Sequence, residues 1–296
     1  RFRVDAPQLE RLGFGIAGTV KADGDLTGSL AHPNVAANYQ ADGVVFGANR
    51  LGHAEGRADI RDGANGPLVF TLKARDASTT GIEVATLDAN LNGTRMQHTL
   101  AVTATGKVQG QAVNLALGAN GKFTDAADGP HWDGAITKLS NKGTPSVNLE
   151  APLAVSYGPK RIVLGATRLV AEGAVLTLKS FALENGRMQS AGTLTNLSVP
   201  RLMEVRREMT GEESSLRTDL VFDGDWNFSL GSTATGYAQI KRRAGDVTID
   251  GTRGVAALGI SDIVARADFT GGNRLNATLH AQASRIGVID ANAHTT

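Results

Sequence analysis

Apolar and polar residues alternate with a period of two through almost all of this 296-residue chain, and no other feature constrains its fold as strongly. Successive side chains of a strand point to opposite faces, so such segments keep one face dry and the other wet. The pattern is clearest from Leu68 to Ala119: Leu68, Phe70 and Leu72, then Leu87, Ala89 and Leu91, then Met96, His98, Leu100 and Val102, then Val113, Leu115 and Leu117. Thr71, Lys73, Asp88, Asn90 and Asn114 stand between them. Earlier, Leu26, Gly28 and Leu30 alternate, as do Val35, Ala37 and Tyr39. Breaks at Asp42-Gly43, Asp62-Gly63, Gly81, Asn92-Gly93 and Gly110 carry turn chemistry, and Pro33 marks a strand end. These gaps are too short for crossover helices, so the spacing predicts an antiparallel meander.

Further along, Trp132, Gly134 and Ile136 alternate, and Val147, Leu149, Ala151, Leu153 and Val155 alternate through Pro152, which predicts an edge or bulge there. Ala174, Leu176 and Leu178 share a face opposite Lys179. Pro200–Met209 is the one expected helix, with Leu202, Val205 and Met209 on one side, Glu204, Arg206, Arg207 and Glu208 on the other, and Gly211 at its end. Alternation then resumes through Leu216, Thr218, Leu220 and Phe222, through Trp226, Phe228 and Leu230, and finally through Leu275, Ala277 and Leu279. No low-complexity linker interrupts the chain, so residues 1–296 are expected to form a single segment.

Composition removes several functions. A net charge of +1 and a pI of about 8.2 supply no basic field for nucleic acid. The absence of cysteine removes disulfides and thiol chemistry. No run approaches the ~18 apolar residues of a membrane span, and the opening at Arg1, without methionine or export signal, reads as a piece of a longer protein. Gly13, Gly15 and Gly18 have the GxGxxG spacing, but strand-like alternation follows where a nucleotide site needs a helix. The six histidines, His32, His53, His98, His131, His280 and His294, show no metal-ligand spacing and read as surface or strand residues. Asp23-Gly24-Asp25 and Asp223-Gly224-Asp225 lack the remainder of a calcium loop and read as hairpin turns. There is no GxSxG elbow. The expectation is a protein with no catalytic residue, no metal and no cofactor.

Three stretches resemble the TamB family, within the wider AsmA-like group of bridge-like lipid transporters. Gly18 to Gly63 is similar to the family's G-x-L-x-G-x-x-x-x-P-x-x-x-A unit followed by an RLG-x-x-x-G strand. Trp132-Asp133-Gly134, the APLAV segment from Ala151, and LENGRMQSAGTLTNLSVPRL leading into the helix resemble its W-x-G-x-L opening, its L-x-x-P-x-x-L strand and its G-x-L-x-x-L-P-L. The resemblance covers about residues 13–240. It implies an all-β fold, an elongated antiparallel sheet curved into a U-shaped β-taco with an apolar concave face and one short helix near 200–210. It also implies a mid-span, monomeric segment of a periplasmic protein anchored in the inner membrane of a Gram-negative cell and meeting a TamA-like outer-membrane barrel. The family is implicated in phospholipid movement and in outer-membrane protein assembly.

The alternating faces fit the lipid role. Each exposed methylene costs ~0.8 kcal/mol in water, so a sixteen-carbon chain costs on the order of 10 kcal/mol unless it is covered. The expected groove lining is Leu68, Phe70, Leu72, Leu87, Leu91, Leu100, Val102, Leu115, Leu117, Ile136, Leu149, Leu153, Leu176, Leu178, Leu220, Phe222, Phe228 and Leu230, with phospholipid acyl chains as the ligand. Alternation serves an ordinary closed core equally well; the low aromatic content of 5% and the resemblance favour the groove. Two other readings remain: a scaffold that adds nascent outer-membrane strands to its sheet edges, and a secreted β-helix adhesin or polysaccharide-acting enzyme, which would need a fixed 20–30-residue repeat.

Overall fold

The computed structural model describes residues 1–29, 33–251, 254–272 and 274–295. Leu30 and His32 of the sequence reading lie outside them. Where a single segment was expected, contacts divide the chain into two units, Arg1–Ser146 and Val147–Thr296.

The first unit is an antiparallel meander of β1 (Phe2–Ala6), β2 (Ile16–Gly28), β3 (Pro33–Phe46), β4 (Asn49–Ile60), β5 (Leu68–Thr79), β6 (Ile82–Thr94), β7 (Gln97–Val108), β8 (Gln111–Ala126) and β9 (Gly129–Asn141), each paired with the next. Short turns join them; at Gln109-Gly110 both residues have positive φ, 50° and 80°, which matches the twist of the flanking strands.

The second unit begins with β10 (Val147–Leu149), β11 (Leu153–Gly158), β12 (Arg161–Leu164) and β13 (Thr167–Ala171), whose shortness follows from Pro152 and Pro159. Pro152 falls between β10 and β11, so the chain breaks into two strands where the sequence predicts one with an edge or bulge. Long strands follow: β14 (Ala174–Glu184), paired along its length with β13 and then β12, and β15 (Arg187–Ser198). The helix α1 (Val199–Thr210) comes next, then β16 (Arg217–Thr218), β17 (Val221–Leu230), β18 (Thr235–Ala244), β19 (Val247–Gly251), β20 (Gly254–Ala257), β21 (Ile260–Thr270), β22 (Leu275–Ala283) and β23 (Gly287–His294). The sheet continues β15–β17–β18–β21–β22–β23, while β16, β19 and β20 form a small sheet of their own. Asp246 ties the two together: its carboxylate accepts from the N–H groups of Val247 and Gly259, both at 2.8 Å, and of Ile260 at 3.1 Å.

Helix α1 lies where the sequence places it, capped by Ser198 Oγ and ended by Gly211 at φ 72°. Its inward face differs from expectation at the first turn. Leu202 is 47% exposed, whereas Arg201 is half-buried and bonds Glu172, at the β13–β14 turn, and Glu204 at 2.5 Å. Val205 and Met209 are half-buried, as the spacing predicts, so the expected side faces inward along the rest of the helix while the Arg201–Glu172 ion pair takes the first turn.

Several Asp-Gly and Asn-Gly pairs are not turns. Asp42-Gly43 lies inside β3, Asp23-Gly24-Asp25 inside β2, Asn92-Gly93 inside β6 and Asp223-Gly224-Asp225 inside β17. Their glycines serve sheet geometry: a side chain on Gly24 would overlap Ala36, and Gly18 and Gly43 sit at the register shift between β2 and β3.

Among the described residues, the only apolar side chains classed as buried are Ala54, Leu68, Ala174 and Leu220. The chain exposes 17688 Å², against about 14,000 Å² for two separate compact domains of half this mass. A closed core would lower that area, so the apolar faces are not sealed by a second layer.

Candidate functional site

Directly paired residues share a face, so strand registers place the apolar side chains without ambiguity. In the first unit, one row runs Ala22, Tyr39, Gly56, Leu72, Ala89, Val102, Leu117, Leu139 across β2 to β9. Beside it run Gly24, Ala37, Ala58, Phe70, Leu91, Leu100, Ala119, Ile136 and, on the other side, Val20, Ala41, Ala54, Ala74, Leu87, Ala104, Leu115. Leu68 extends the face opposite Ile60. None of these rows holds a charge. The reverse face carries Lys21, Gln40, Glu55, Lys73 and Asp88 in one row, with Lys73 directly between the carboxylates of Glu55 and Asp88.

The second unit repeats the arrangement. Leu149, Leu169, Leu176, Leu194, Gly224, Ile240, Ala265, Leu279 and Ala291 form one row across nine strands. The next is Thr167, Leu178, Gly192, Trp226, Ala238, Ala267, Ala277, Ala293, and beyond it Val155, Leu164, Phe181, Ser190, Phe228, Gly236, Phe269, Leu275. Leu230 pairs with Met188, and Leu153 shares the face of Val155 by alternation along β11. Phe222 pairs with Leu197 and Arg242 at the rim, where the Arg242 guanidinium donates to the carbonyls of Gly245 at 2.8 Å and Ser261 at 3.1 Å. Leu220 lies outside the strands, before β17, only 7% exposed.

Aromatic rings on these faces lie over glycines. The Trp132 indole covers Gly121 and Gly134, Trp226 covers Gly192, and Tyr39 covers Gly56; a Cβ at any of these glycines would overlap the ring. Each ring also satisfies its polar atom. Trp132 Nε1 donates to His98 Nε2 at 2.9 Å, Trp226 Nε1 to Ser190 Oγ at 2.8 Å, and Tyr39 Oη to the Thr71 carbonyl at 2.7 Å. Large rings are thereby laid flat, and the surface stays smooth and free of unpaired polar atoms.

A hollow of about 580 Å³ lies on the apolar face of the second unit, floored by Ala238, Ala265, Ala267, Ala277, Ala291 and Ala293 with Ile240 and Leu279. In the first unit a hollow of about 480 Å³ lies on the polar face, among Lys21, Asp23, Asn38, Glu55, Arg57 and Lys73. Twisted sheets are saddle-shaped, so either face can be locally concave.

The histidines pair locally. His98 is buried; His53 meets Asp42 at 2.5 Å, His131 meets Asp128 at 2.8 Å and His280 meets Asp290 at 2.7 Å. The His53 bond holds the Asp42 carboxyl below the usual carboxylate range, with a second bond from Gln40 assisting. Among the described residues no group of three or more His, Asp or Glu converges as metal ligands.

Sequence reasoning took in Ala277, between Leu275 and Leu279, but missed Ala238, Ala267, Ala291 and Ala293 on the same faces, and it missed Leu169 and Leu194. The alternation was present there, but alanine carries too little hydrophobic contrast to stand out.

A family model described as TamB, N-terminal domain, matches residues 1–296. The chain belongs to the TamB family. No curated protein and no solved structure matches it. Membership of the TamB family makes it an envelope-associated chain of the translocation and assembly module type. The matching description is of an N-terminal domain, where the resemblance implies a mid-span segment. Among the described residues no helix is long and apolar enough to cross a membrane.

Proposed function

We propose that this TamB-family chain carries phospholipid acyl chains across the periplasm along the apolar faces of its sheets. It would act as part of a protein anchored in the inner membrane and meeting an outer-membrane barrel of the TamA kind. The observation that supports this most is the set of uncharged rows, each crossing seven to nine strands, with no layer sealing them. A row perpendicular to the strands offers an acyl chain the same dry contact at every ~4.8 Å step, offsetting ~0.8 kcal/mol per methylene without a deep trap. No catalytic residue, metal or cofactor is needed for such a passage, and nothing in it calls for nucleic acid or a second copy.

A second reading has its own support. Edge strand β23 is exposed along its whole length, which suits strand addition by a nascent outer-membrane protein. Denaturing the purified chain and extracting it with organic solvent separates the two. The lipid reading expects phospholipid in stoichiometric amounts, and a lipid-free extract from protein purified without detergent overturns it.

A further inference from the structure

The two ends of the first unit differ in chemistry. At one end, in and beside the β4–β5, β6–β7 and β8–β9 connections, charges are closed into pairs: Arg61 with Asp59 at 2.9 Å, Arg95 with Asp125 at 2.8 Å and His131 with Asp128 at 2.8 Å. At the other end, where β2 begins and β3 turns into β4, large apolar side chains stand in water. Phe14 is 71% exposed, Leu12 56% and Phe46 55%, with Val45 exposed beside them.

Backbone geometry holds these side chains out. Phe14 lies between Gly13 and Gly15, both left-handed at φ 73° and 70°, and a Cβ at either glycine would meet nothing within 4 Å beyond its chain neighbours. The ring is therefore carried on an open loop. Phe46 ends β3 before Gly47 at φ 58°, and Asn49 Nδ2 donates to the Phe46 carbonyl at 3.2 Å, which fixes the turn. Register pairs Ile16 with Phe46 and Ala17 with Val45, so the two loops are neighbours. Arg11 adjoins Leu12, and Arg50 pairs with Val45 across the β3–β4 hairpin. Both arginines are exposed, and among the described residues neither guanidinium meets a carboxylate.

We propose that this tip docks on the surface of a lipid bilayer with anionic headgroups, Leu12, Phe14 and Phe46 entering the boundary between headgroups and acyl chains while Arg11 and Arg50 meet the phosphates. Three features choose a bilayer over a protein partner. The apolar side chains come from separate turns and stand apart on glycine-containing loops, unlike the packed, water-excluding centre of a protein interface. The exposed turn backbone around them is solvated, and hydrated headgroups keep it so, whereas a dry protein contact would strip it. The two unneutralised arginines sit beside the apolar residues, so their guanidinium groups stay at headgroup level, attracted to negative charge, as the neighbours are buried. The contact is made by turns and not by the apolar faces, and is separate from the passage of acyl chains proposed above.

The chain has no cysteine, so single cysteines in the whole chain can carry an environment-sensitive nitrobenzoxadiazole dye. Phe14→Cys and Phe46→Cys report the tip, and Met96→Cys, at a residue 44% exposed in the β6–β7 turn, reports the opposite end. On vesicles of phosphatidylcholine with about one-third phosphatidylglycerol, both tip dyes should brighten about threefold and be quenched by a nitroxide high on the lipid chain, with the Met96 dye unchanged. In flotation with the same vesicles, unlabelled Phe14→Ser/Phe46→Ser protein should bind at least tenfold less than the parent, and Arg11→Gln/Arg50→Gln protein should lose the preference for phosphatidylglycerol over phosphatidylcholine alone. Each dye-labelled variant keeps the other ring, so the dyes carry the test even if the double serine variant fails to fold. Tip dyes that do not respond overturn the docking and leave acyl-chain passage, which lipid extraction reads, standing. An equal response at Met96, or full flotation of a folded double serine variant, overturns it too. Parent protein that binds both kinds of vesicle equally overturns the role of the arginines.

Discussion

The Trp132 indole on β9 reaches across β8 to donate its Nε1–H to His98 Nε2 on β7, at 2.9 Å. It can do so because Gly121 on β8 has no side chain in the way. Since an indole N–H only donates, His98 Nε2 must accept, which puts the imidazole proton on Nδ1, facing the Thr94 carbonyl at 3.1 Å. Phe123 stacks on the imidazole at 5.0 Å.

His98→Ala therefore removes a structural clip, not a surface group. It leaves the Trp132 N–H and the Thr94 carbonyl without their partner and opens a cavity beneath Phe123. The expected loss is about 2–4 kcal/mol, read by denaturant unfolding of the first unit. His131→Ala, at an exposed Asp128 contact, should cost under about 1 kcal/mol. Equal effects would contradict the clip.

Gly192→Ala should destabilise the second unit by about 1–3 kcal/mol, because its Cβ overlaps the Trp226 ring and the Thr177 carbonyl. Near-ultraviolet circular dichroism should change with it as the indole is lifted. Gly186→Ala leaves the ring untouched and serves as the comparison, its own cost coming from φ 79° in the β14–β15 turn.

Two carboxylate contacts give opposite pH responses. Asp290 holds His280 above the usual histidine range, so this contact stabilises the β22–β23 edge below about pH 6.5 and is lost as pH rises through the raised value. Burial alone would push Asp246 up, but the N–H groups of Ile260, Val247 and Gly259, with Arg242 nearby, outweigh it and hold the carboxyl low. Its contribution is present above about pH 4 and is lost as pH falls through the lowered value. Hydrogen exchange should show β23 loosening on the alkaline side and β19–β20 on the acid side, with Asp246→Asn abolishing the second response.

Arg201→Ala should free α1 from the β13–β14 turn. Glu172, whose carboxylate keeps the Arg201 guanidinium firmly charged, would be left with its side chain only 10% exposed and its strongest partner gone. We expect a loss of about 1–3 kcal/mol, seen as faster exchange in the helix with the main sheet unchanged.

The faces were legible in the sequence because alternation is a local property: Leu72, Val102 and Leu117 can be assigned to one side of their strands before any pairing is known, and the register then aligns them. What failed was the meaning of Asp-Gly. A glycine after aspartate suits a tight turn, yet Gly24 and Gly224 lie within strands, and only the cross-strand neighbour tells the two uses apart. Leu202 was misplaced for a related reason. Helical spacing identified the helix and the side that holds Val205 and Met209, but it cannot show that Arg201 in the first turn pairs with Glu172, 29 residues earlier.

The central claim is tested most directly at Leu178, which lies on the apolar face between Thr167 and Gly192, while its neighbour Thr177 lies on the reverse face between Arg168 and Thr193. The measurement is phospholipid bound per folded protein for Leu178→Arg against Thr177→Arg. On an unsealed face the new arginine can turn its guanidinium to water, so both variants should melt within about 1–2 kcal/mol of the parent, with lipid lost from Leu178→Arg alone. A folded Leu178→Arg protein that carries lipid at the parent level would contradict the account, and an unfolded one would return the face to an ordinary closed core.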